Sequence, residues 1–487
     1  MTKSREADLL AQIPTQLFIG GRWRDAADGR RLDVDDPATG QVLTSVADAT
    51  PDDGRDALAA AADAQAGWAA TPARQRAELL RAAYQRVVER TEDFALAMTL
   101  EMGKPLAESR GEVAYGAEFF RWFSEEACRI RGSYTANPAG GSRLLTMRQP
   151  VGPTLMITPW NFPLAMGTRK LGPALAAGCT AVVKPARQTP LTMLLLARTL
   201  EEVGVPAGVV NVIATSRTSD VVGPLMRDRR LRKVTFTGST QVGRQLIAQS
   251  AEQVLRVSME LGGNAPLIVF EDADLDLAVE QTMLAKLRNT GEACTAANRL
   301  LVAESVATEY ADRLAAAMGA LKLGRGTEED SKLGPLIDEG ARRTVDELVR
   351  DAVSRGATVR VGGSPADGPG FFYPATVLTG VPADAAIVRE EIFGPVAPIS
   401  TFASQEQAIA LANDTTYGLM SYVFTKDLNR ALRVAEALEF GMVAMNAGVV
   451  SNPAAPFGGV KQSGLGREGG AEGIEEFLEV KYVGIGL

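Results

Sequence analysis

Residues 154–214 read "TLMITPWNFPLAMGTRKLGPALAAGCTAVVKPARQTPLTMLLLARTLEEVGVPAGVVNVIA". Three short apolar runs, TLMITP (154–159), TAVVKP (180–185) and VVNVIA (209–214), are bounded by proline and glycine and predict buried strands. Between them, 163–177 and 191–204 predict helices, the second ending at Gly204. KVTFTG (233–238) adds a further strand. Strands and helices that alternate in this way argue for a parallel sheet with crossover helices. Ligands sit at the carboxyl ends of such strands.

A second alternating stretch runs from APLIVF (265–270), through helices at 274–289 and 304–321, to AAIVREEIFGPVAPIS (385–400). The two α/β units meet near Glu260–Gly263, and a cleft between them is the natural place for a ligand. Upstream, 54–69, 73–90 and 111–128 have helical periodicity, with Val113, Phe120 and Phe123 on one face. Cys128 is expected in the core beside them, and Cys179 in the core of the first unit. Residues 131–149 predict a hairpin turning at Pro138, Gly140 and Gly141, and 475–487 alternate like an edge strand.

The 487 residues suggest roughly three units at about 150 residues each. A net charge of −8 disfavours nucleic acid as a partner. No run approaches the ~20 apolar residues of a membrane span, and the start, "MTKSREADLLAQIP", lacks the apolar core of a secretory signal. Three scattered cysteines make no disulfide framework and imply a reducing, cytoplasmic setting. With no histidine in the chain, no zinc or other metal site is expected.

The absence of histidine sharpens one question. "NTGEACTAANR" (289–299) sets Cys294 among small residues, and cysteine nucleophiles are commonly activated by an imidazole. Either Cys294 is packing or another group moves the proton. Glu260, in "SMELGGNAP" (258–266), precedes two glycines that let backbone and ligand approach. A Glu so placed is a general base of raised pKa or a salt-bridged strand end. Asn161, in "PWNFP", is a helix N-cap or an amide donor for an oxyanion. "FTGSTQVG" (236–243) follows a strand and opens a helix, so Gly238 begins a structural turn or a phosphate site; it is neither of the standard phosphate-loop motifs. Lys184, ending a strand, is a surface lysine or a sugar or phosphate ligand.

Taken in order, PWNFP, VVKPA, FTGS, MELGGNAP, GEACTAANR, EEIFGPV and PFGGVKQSGLGRE resemble the aldehyde dehydrogenase superfamily over essentially the whole chain from about residue 17. The resemblance implies a Rossmann-like cofactor domain (1–130 and 150–260), a second α/β catalytic domain (261–452) and a small β oligomerisation element (131–149 and 470–487). It implies that Cys294 is the nucleophile, Glu260 the base and Asn161 the oxyanion donor, with Lys170 and Glu468 assisting proton transfer. The cofactor residues it implies are Trp160, Lys184, Gly238, Ser239 and Gly243, with Glu391 on the nicotinamide ribose and Phe393 beside it. NAD-preferring relatives often carry a Glu three residues after the lysine that matches Lys184. Arg187 stands here, and an arginine can pair with a 2′-phosphate, so NADP is favoured over NAD.

"NFPLAMGTRKLGPALAAGC", "LRNTGEACTAANR" and the tail from 456 look closest to the succinate-semialdehyde dehydrogenase branch. There two arginines and a serine hold the distal carboxylate, and the matching positions are Arg169, Arg288 and Ser451. Arg169 lies eight residues past Asn161, about 12 Å along a helix, a gap that an arginine and a four-carbon substrate can span. The expected reaction is oxidation of succinate semialdehyde to succinate, through a cysteine thiohemiacetal and a thioester that Glu260 helps hydrolyse. Glutarate semialdehyde, or a broader range of aldehydes, is the alternative substrate. A non-catalytic binding protein on the same fold is the alternative of another class. A homodimer or homotetramer is expected, because strands of the small element resemble those that pair across family interfaces.

Overall fold

The computed structural model describes residues 3–487. Its largest sheet has eight strands and begins with the predicted run. Thr154–Ile157, Ala181–Lys184 and Val210–Val212 lie side by side in parallel, each completely buried. The crossover helices are Ala165–Ala177 and Leu191–Glu202. The chain then returns through helix Thr218–Met226 to the other flank of Thr154–Ile157, where Lys233–Thr237 pairs in parallel and Arg256–Glu260 follows beyond it. The order of strands thus reverses at Thr154–Ile157. A crevice opens there beyond the carboxyl ends, the usual ligand position in open α/β sheets. Antiparallel strands close both edges, Leu17–Ile19 with Arg22–Arg24 on one side and Gly464–Leu465 on the other.

Helix Ala165–Ala177 is buried along its whole length. Gly172 lets it approach helix Leu106–Glu126, since a β-carbon there would sit 3.0 Å from the Phe119 carbonyl oxygen. Its first turn is satisfied from outside: Leu164 and Ala165 donate their N–H groups to Glu112 Oε1 at 3.0 and 3.1 Å.

The second sheet has seven strands, in the spatial order Thr358–Val361, Thr376–Thr379, Val396–Phe402, Ala297–Ala303, Ala265–Val269, Met420–Phe424, Met442–Met445. All neighbours are parallel except the first pair. Glu260 ends a strand of the first sheet and Ala265 begins a strand of the second. The four residues between them carry the chain across, so the carboxyl ends of one sheet face the amino ends of the other.

The predicted hairpin is Ser133–Ala136 with Ser142–Pro150, and the tail strand Leu478–Gly486 pairs antiparallel with the latter, Leu478 opposite Pro150 and Gly486 opposite Ser142. The tail's outer positions Val480 and Tyr482 are exposed. Cys179 is in the core as expected. Cys128 is not: helix Leu106–Glu126 ends before it, and the 3-10 turn Ala127–Arg129 swings its side chain to the surface. No helix among the described residues is long and apolar enough to cross a membrane.

Candidate active site

Cys294 lies in the short turn that leads into strand Ala297–Ala303 and is half-buried. The backbone before it is unusual. Asn289, Thr290 and Gly291 have φ of 58°, 56° and 78°, a run of left-handed residues just ahead of the thiol. Two close approaches fix the crossing segment beside it. A β-carbon at Gly263 would lie 2.4 Å from the Cys294 carbonyl oxygen, and one at Gly262 would lie 2.7 Å from Glu391 Oε2. Gly263, against backbone, therefore requires glycine, whereas a side chain at Gly262 would have to displace the Glu391 carboxylate.

Two cavities meet at the thiol. The larger, about 580 Å³, is lined by Cys294 together with Arg169, Arg288, Ser451, Phe162 and Phe457. The smaller, about 240 Å³, is lined by Cys294 together with Glu260, Asn161, Trp160, Gly238, Ser239, Glu391 and Phe393. Met166 also borders both, so the thiol and one methionine form the shared wall.

The proton chemistry is set by burial. Burial pushes the Cys294 thiol up to about 12, against the opposing pull of Arg169 and Arg288. Left alone it is a thiol, not a thiolate. Glu260 is buried and its Oε2 has no hydrogen-bond partner among the described residues. Burial, reinforced by the negative charge of Glu468, holds it well above the ordinary carboxylate range, with Arg169 and Lys170 opposing. It therefore holds a proton more readily than an ordinary carboxylate, as a general base poised to accept one must. Glu468 goes the other way. Burial alone would raise it, but Lys170 and Arg169 outweigh that, and it stays charged. Lys170 Nζ donates to Glu468 Oε1 at 2.5 Å and to Thr235 Oγ1 at 3.1 Å.

Arg169 and Arg288 differ in kind. Arg169 is fully buried, its Nε is ion-paired with Glu468, and its guanidinium stacks 4.1 Å above the Phe457 ring. Arg288 is half-buried and 5.3 Å from the Phe162 ring, with only a 3.4 Å contact to Thr295 Oγ1 and no ion pair among the described residues. One arginine is already balanced by a carboxylate; the other is free to receive one.

Asn161 is buried and is not an N-cap, because helix Ala165–Ala177 starts beyond it. Its Nδ2 donates to the Glu292 carbonyl oxygen at 3.0 Å, leaving its second amide hydrogen for the cavity.

The residues expected to hold a dinucleotide fit that group. Among the described residues Lys184 is buried without a counter-charge, and its Nζ reaches only Thr218 Oγ1, at 3.3 Å. Burial lowers it to about 8, so an incoming hydroxyl or phosphate would find an underused donor. Thr237 Oγ1, on the wall of the small cavity, is likewise buried without a partner among the described residues. Ser239 caps helix Thr240–Ser250, whose N-terminus faces the slot. Glu391 accepts a hydrogen bond from Gly263 N at 3.2 Å, and burial raises it to about 7. Phe393, with φ of 49°, meets Trp160 edge-on at 5.3 Å. Arg187 is exposed and unpaired among the described residues, three residues past Lys184. Gly243 lies behind this wall. A β-carbon there would be 2.3 Å from Leu261 Cδ2, so it packs helix Thr240–Ser250 against the crossing segment.

A thiol, a proton-accepting carboxylate and an amide donor around one point make up the parts of acyl-transfer chemistry. The sequence profile of the "Aldehyde dehydrogenase family" matches residues 23–483. The chain belongs to the aldehyde dehydrogenase family. Succinate-semialdehyde dehydrogenase of Paenarthrobacter nicotinovorans is 61% identical over 444 residues, covering 91% of this chain and 99% of that protein. Glutarate-semialdehyde dehydrogenase of Pseudomonas putida is 48% identical over 483 residues, covering 99% of each. The crystal structure of an E. coli NADP-dependent enzyme superposes with a TM-score of 0.96 at 48% identity, covering 99% of each chain.

This aldehyde dehydrogenase also uses residues that sequence reasoning passed over. Lys104, Glu112 and Met166 border the larger cavity, and Asn289 braces the Cys294 loop. None sits in a pattern that local spacing marks as functional. Only the pairing of Lys104 and Glu112 at the two ends of "KPLAESRGE" hints at an interaction, and that spacing alone does not separate it from a surface ion pair.

Proposed function

We propose that this aldehyde dehydrogenase oxidises succinate semialdehyde to succinate, with NADP favoured over NAD. The observation that carries the proposal is the position of Cys294 between two unlike cavities. One has a free cation at Arg288, with Ser451 beside it; the other has the carboxylate and amide of the chemistry. The names of the relatives from Paenarthrobacter nicotinovorans and E. coli support both halves of the reading.

In this reading the aldehyde enters the larger cavity with its distal carboxylate toward Arg288, Ser451 and the outer edge of Arg169. Glu260, directly or through water, takes the Cys294 proton, and the sulfur attacks the carbonyl carbon. The carbonyl oxygen becomes an oxyanion held by Asn161 Nδ2. An oxidised nicotinamide held in the smaller cavity would supply the hydride acceptor, and loss of hydride from the Cys294 adduct would leave a thioester. Glu260 first gives up the Cys294 proton to solvent by way of Lys170 and Glu468, and then takes a proton from water as that water attacks the thioester carbon. The C–S bond breaks, succinate leaves and the sulfur recovers a proton. Lys170 and Glu468, next to Glu260, hold and pass protons. In the slot, Lys184 and Arg187 take the adenosine ribose and its 2′-phosphate, Gly238 and Ser239 the pyrophosphate, and Glu391 the nicotinamide ribose, with Trp160 and Phe393 as walls.

A five-carbon semialdehyde is a second reading. The Pseudomonas putida relative supports it, as does a cavity of about 580 Å³, which leaves room for one more methylene. The proposal extends to the division into 1–130 with 150–260, 261–452, and 131–149 with 470–487. It also extends to a cytoplasmic homodimer or homotetramer built on the tail strand, which light scattering would test. A panel of succinate, glutarate and unsubstituted aldehydes with both cofactors tests the chemistry. The expected result is the highest kcat/KM for succinate semialdehyde with NADP. A butanal value equal to it would refute the substrate, and a higher value with NAD would refute the cofactor preference.

A further inference from the structure

Lys104 belongs to the stretch "EMGKPLAESRGE" (101–112), between helix Thr91–Met102 and helix Leu106–Glu126. It is 1% exposed, and a buried ammonium is costly unless it is fully paired. Its Nζ donates to Glu112 Oε2 at 2.5 Å and to the Asn161 carbonyl oxygen at 2.7 Å, and it rests 4.3 Å from the Phe162 ring centre. Both acceptors serve the same turn. The other oxygen of Glu112 receives the N–H groups of Leu164 and Ala165, while the carbonyl is that of Asn161 itself. Lys104 therefore ties the two ends of the 161–165 turn together.

The turn is coupled to the nucleophile loop as well. Asn289 Nδ2 donates to the Asn161 carbonyl oxygen at 3.0 Å and to the Glu292 carbonyl oxygen at 2.9 Å. Asn161 Nδ2 donates to that same Glu292 oxygen, two residues before Cys294. Nothing in the proposed chemistry uses Lys104 directly, yet it holds the Asn161 carbonyl oxygen that Asn289 ties to the Cys294 loop.

We propose that Lys104 is a positioning residue for the oxyanion step, holding Asn161 so that its free amide hydrogen points at the oxygen of the substrate on Cys294. The proposal rests on the reading of Cys294 as nucleophile and Asn161 as oxyanion donor. Misplacement of a catalytic group by about 1 Å can cost on the order of 100-fold, and loss of one oxyanion donor costs about 100- to 1000-fold.

The test is a double-mutant cycle on the acylation step, read as the burst of reduced cofactor and normalised to burst amplitude so that inactive protein does not count. Lys104→Met is expected to slow acylation about 100-fold on butanal and on succinate semialdehyde alike, with KM little changed. Asn161→Ala is expected to slow it further, and the double variant to be no slower than Asn161→Ala alone. A wild-type burst rate in Lys104→Met, or equal factors for Lys104→Met in the presence and absence of the Asn161 amide, would overturn the proposal. If Lys104→Met does not fold, Glu112→Gln replaces it in the same cycle with the same criteria, since the glutamine oxygen still receives the Leu164 and Ala165 N–H groups. An Asn161→Ala variant that acylates at full speed would instead overturn the oxyanion reading underneath, and this one with it. Loss confined to succinate semialdehyde would mean that Lys104 binds the substrate, which also contradicts a positioning role.

Discussion

Replacing Arg288 by alanine should separate recognition of the distal carboxylate from the chemistry. Its guanidinium has no ion-pair partner among the described residues, and its one polar contact is 3.4 Å long. Truncation therefore breaks no ion pair among the described residues, and the main loss is the substrate contact. A hydrogen bond to a charged group contributes about 1.5–3 kcal/mol. At 1.4 kcal/mol per tenfold, kcat/KM for succinate semialdehyde should fall about 10- to 150-fold. Butanal, of similar length without the acid, should change by less than about 3-fold, because the contact it never made is not missed. Arg169→Ala is the contrasting control. Its Nε is paired with Glu468, so removing it leaves that buried carboxylate with Lys170 alone and takes a cation from the surroundings of Glu260. Both aldehydes should then suffer. The assay is steady-state kinetics with saturating NADP on both substrates for all three proteins. An equal loss on butanal and succinate semialdehyde in Arg288→Ala would refute the assignment of Arg288.

Three further outcomes follow from the same geometry. Glu260 is held well above the ordinary carboxylate range, so its base form grows in only as pH climbs through that raised value. Thioester hydrolysis should rise with pH along an acid limb displaced toward neutrality, and Glu260→Gln should give a burst of reduced cofactor with little turnover. With its thiol pushed up to about 12, Cys294 is about one part in ten thousand thiolate at pH 8. Alkylation by iodoacetamide, followed by mass spectrometry, should be slow in the free enzyme and accelerate when NADP⁺ brings positive charge into the smaller cavity; no acceleration would count against this source of activation. Arg187→Glu should lower kcat/KM for NADP relative to NAD by at least about 10-fold, the worth of one charge-assisted hydrogen bond, and an unchanged ratio would show that Arg187 does not touch the 2′-phosphate.

Much of the fold was legible because its signals are local. The strand at Thr154–Ile157 and the helix after it follow from runs of apolar residues and their bounding prolines and glycines. The predicted ends differ from the observed ones by a residue or two, as between 163–177 and Ala165–Ala177, where Glu112 from a distant helix supplies the cap. Gly263 was also readable, because only glycine permits so close an approach to the Cys294 backbone. Cys128 was misplaced for a related reason: helical spacing gave it an apolar face, but the helix stops two residues earlier, and periodicity carries no information past the end of its element.

By itself the sequence determined the alternation of strands and helices, the crossing point between the two sheets and the residue types gathered near it. Each of these is written in the spacing of neighbours along the chain. Only the tertiary structure decided which charges neutralise one another. Arg169 meets Glu468 from 299 residues away, and Arg288 forms no ion pair among the described residues. Burial is equally a property of the whole, and it makes Glu260 a readier proton acceptor than an ordinary carboxylate and Cys294 a poor acid. Coulomb energy and desolvation depend on distance and surroundings in space, and neither quantity is carried by the order of residues.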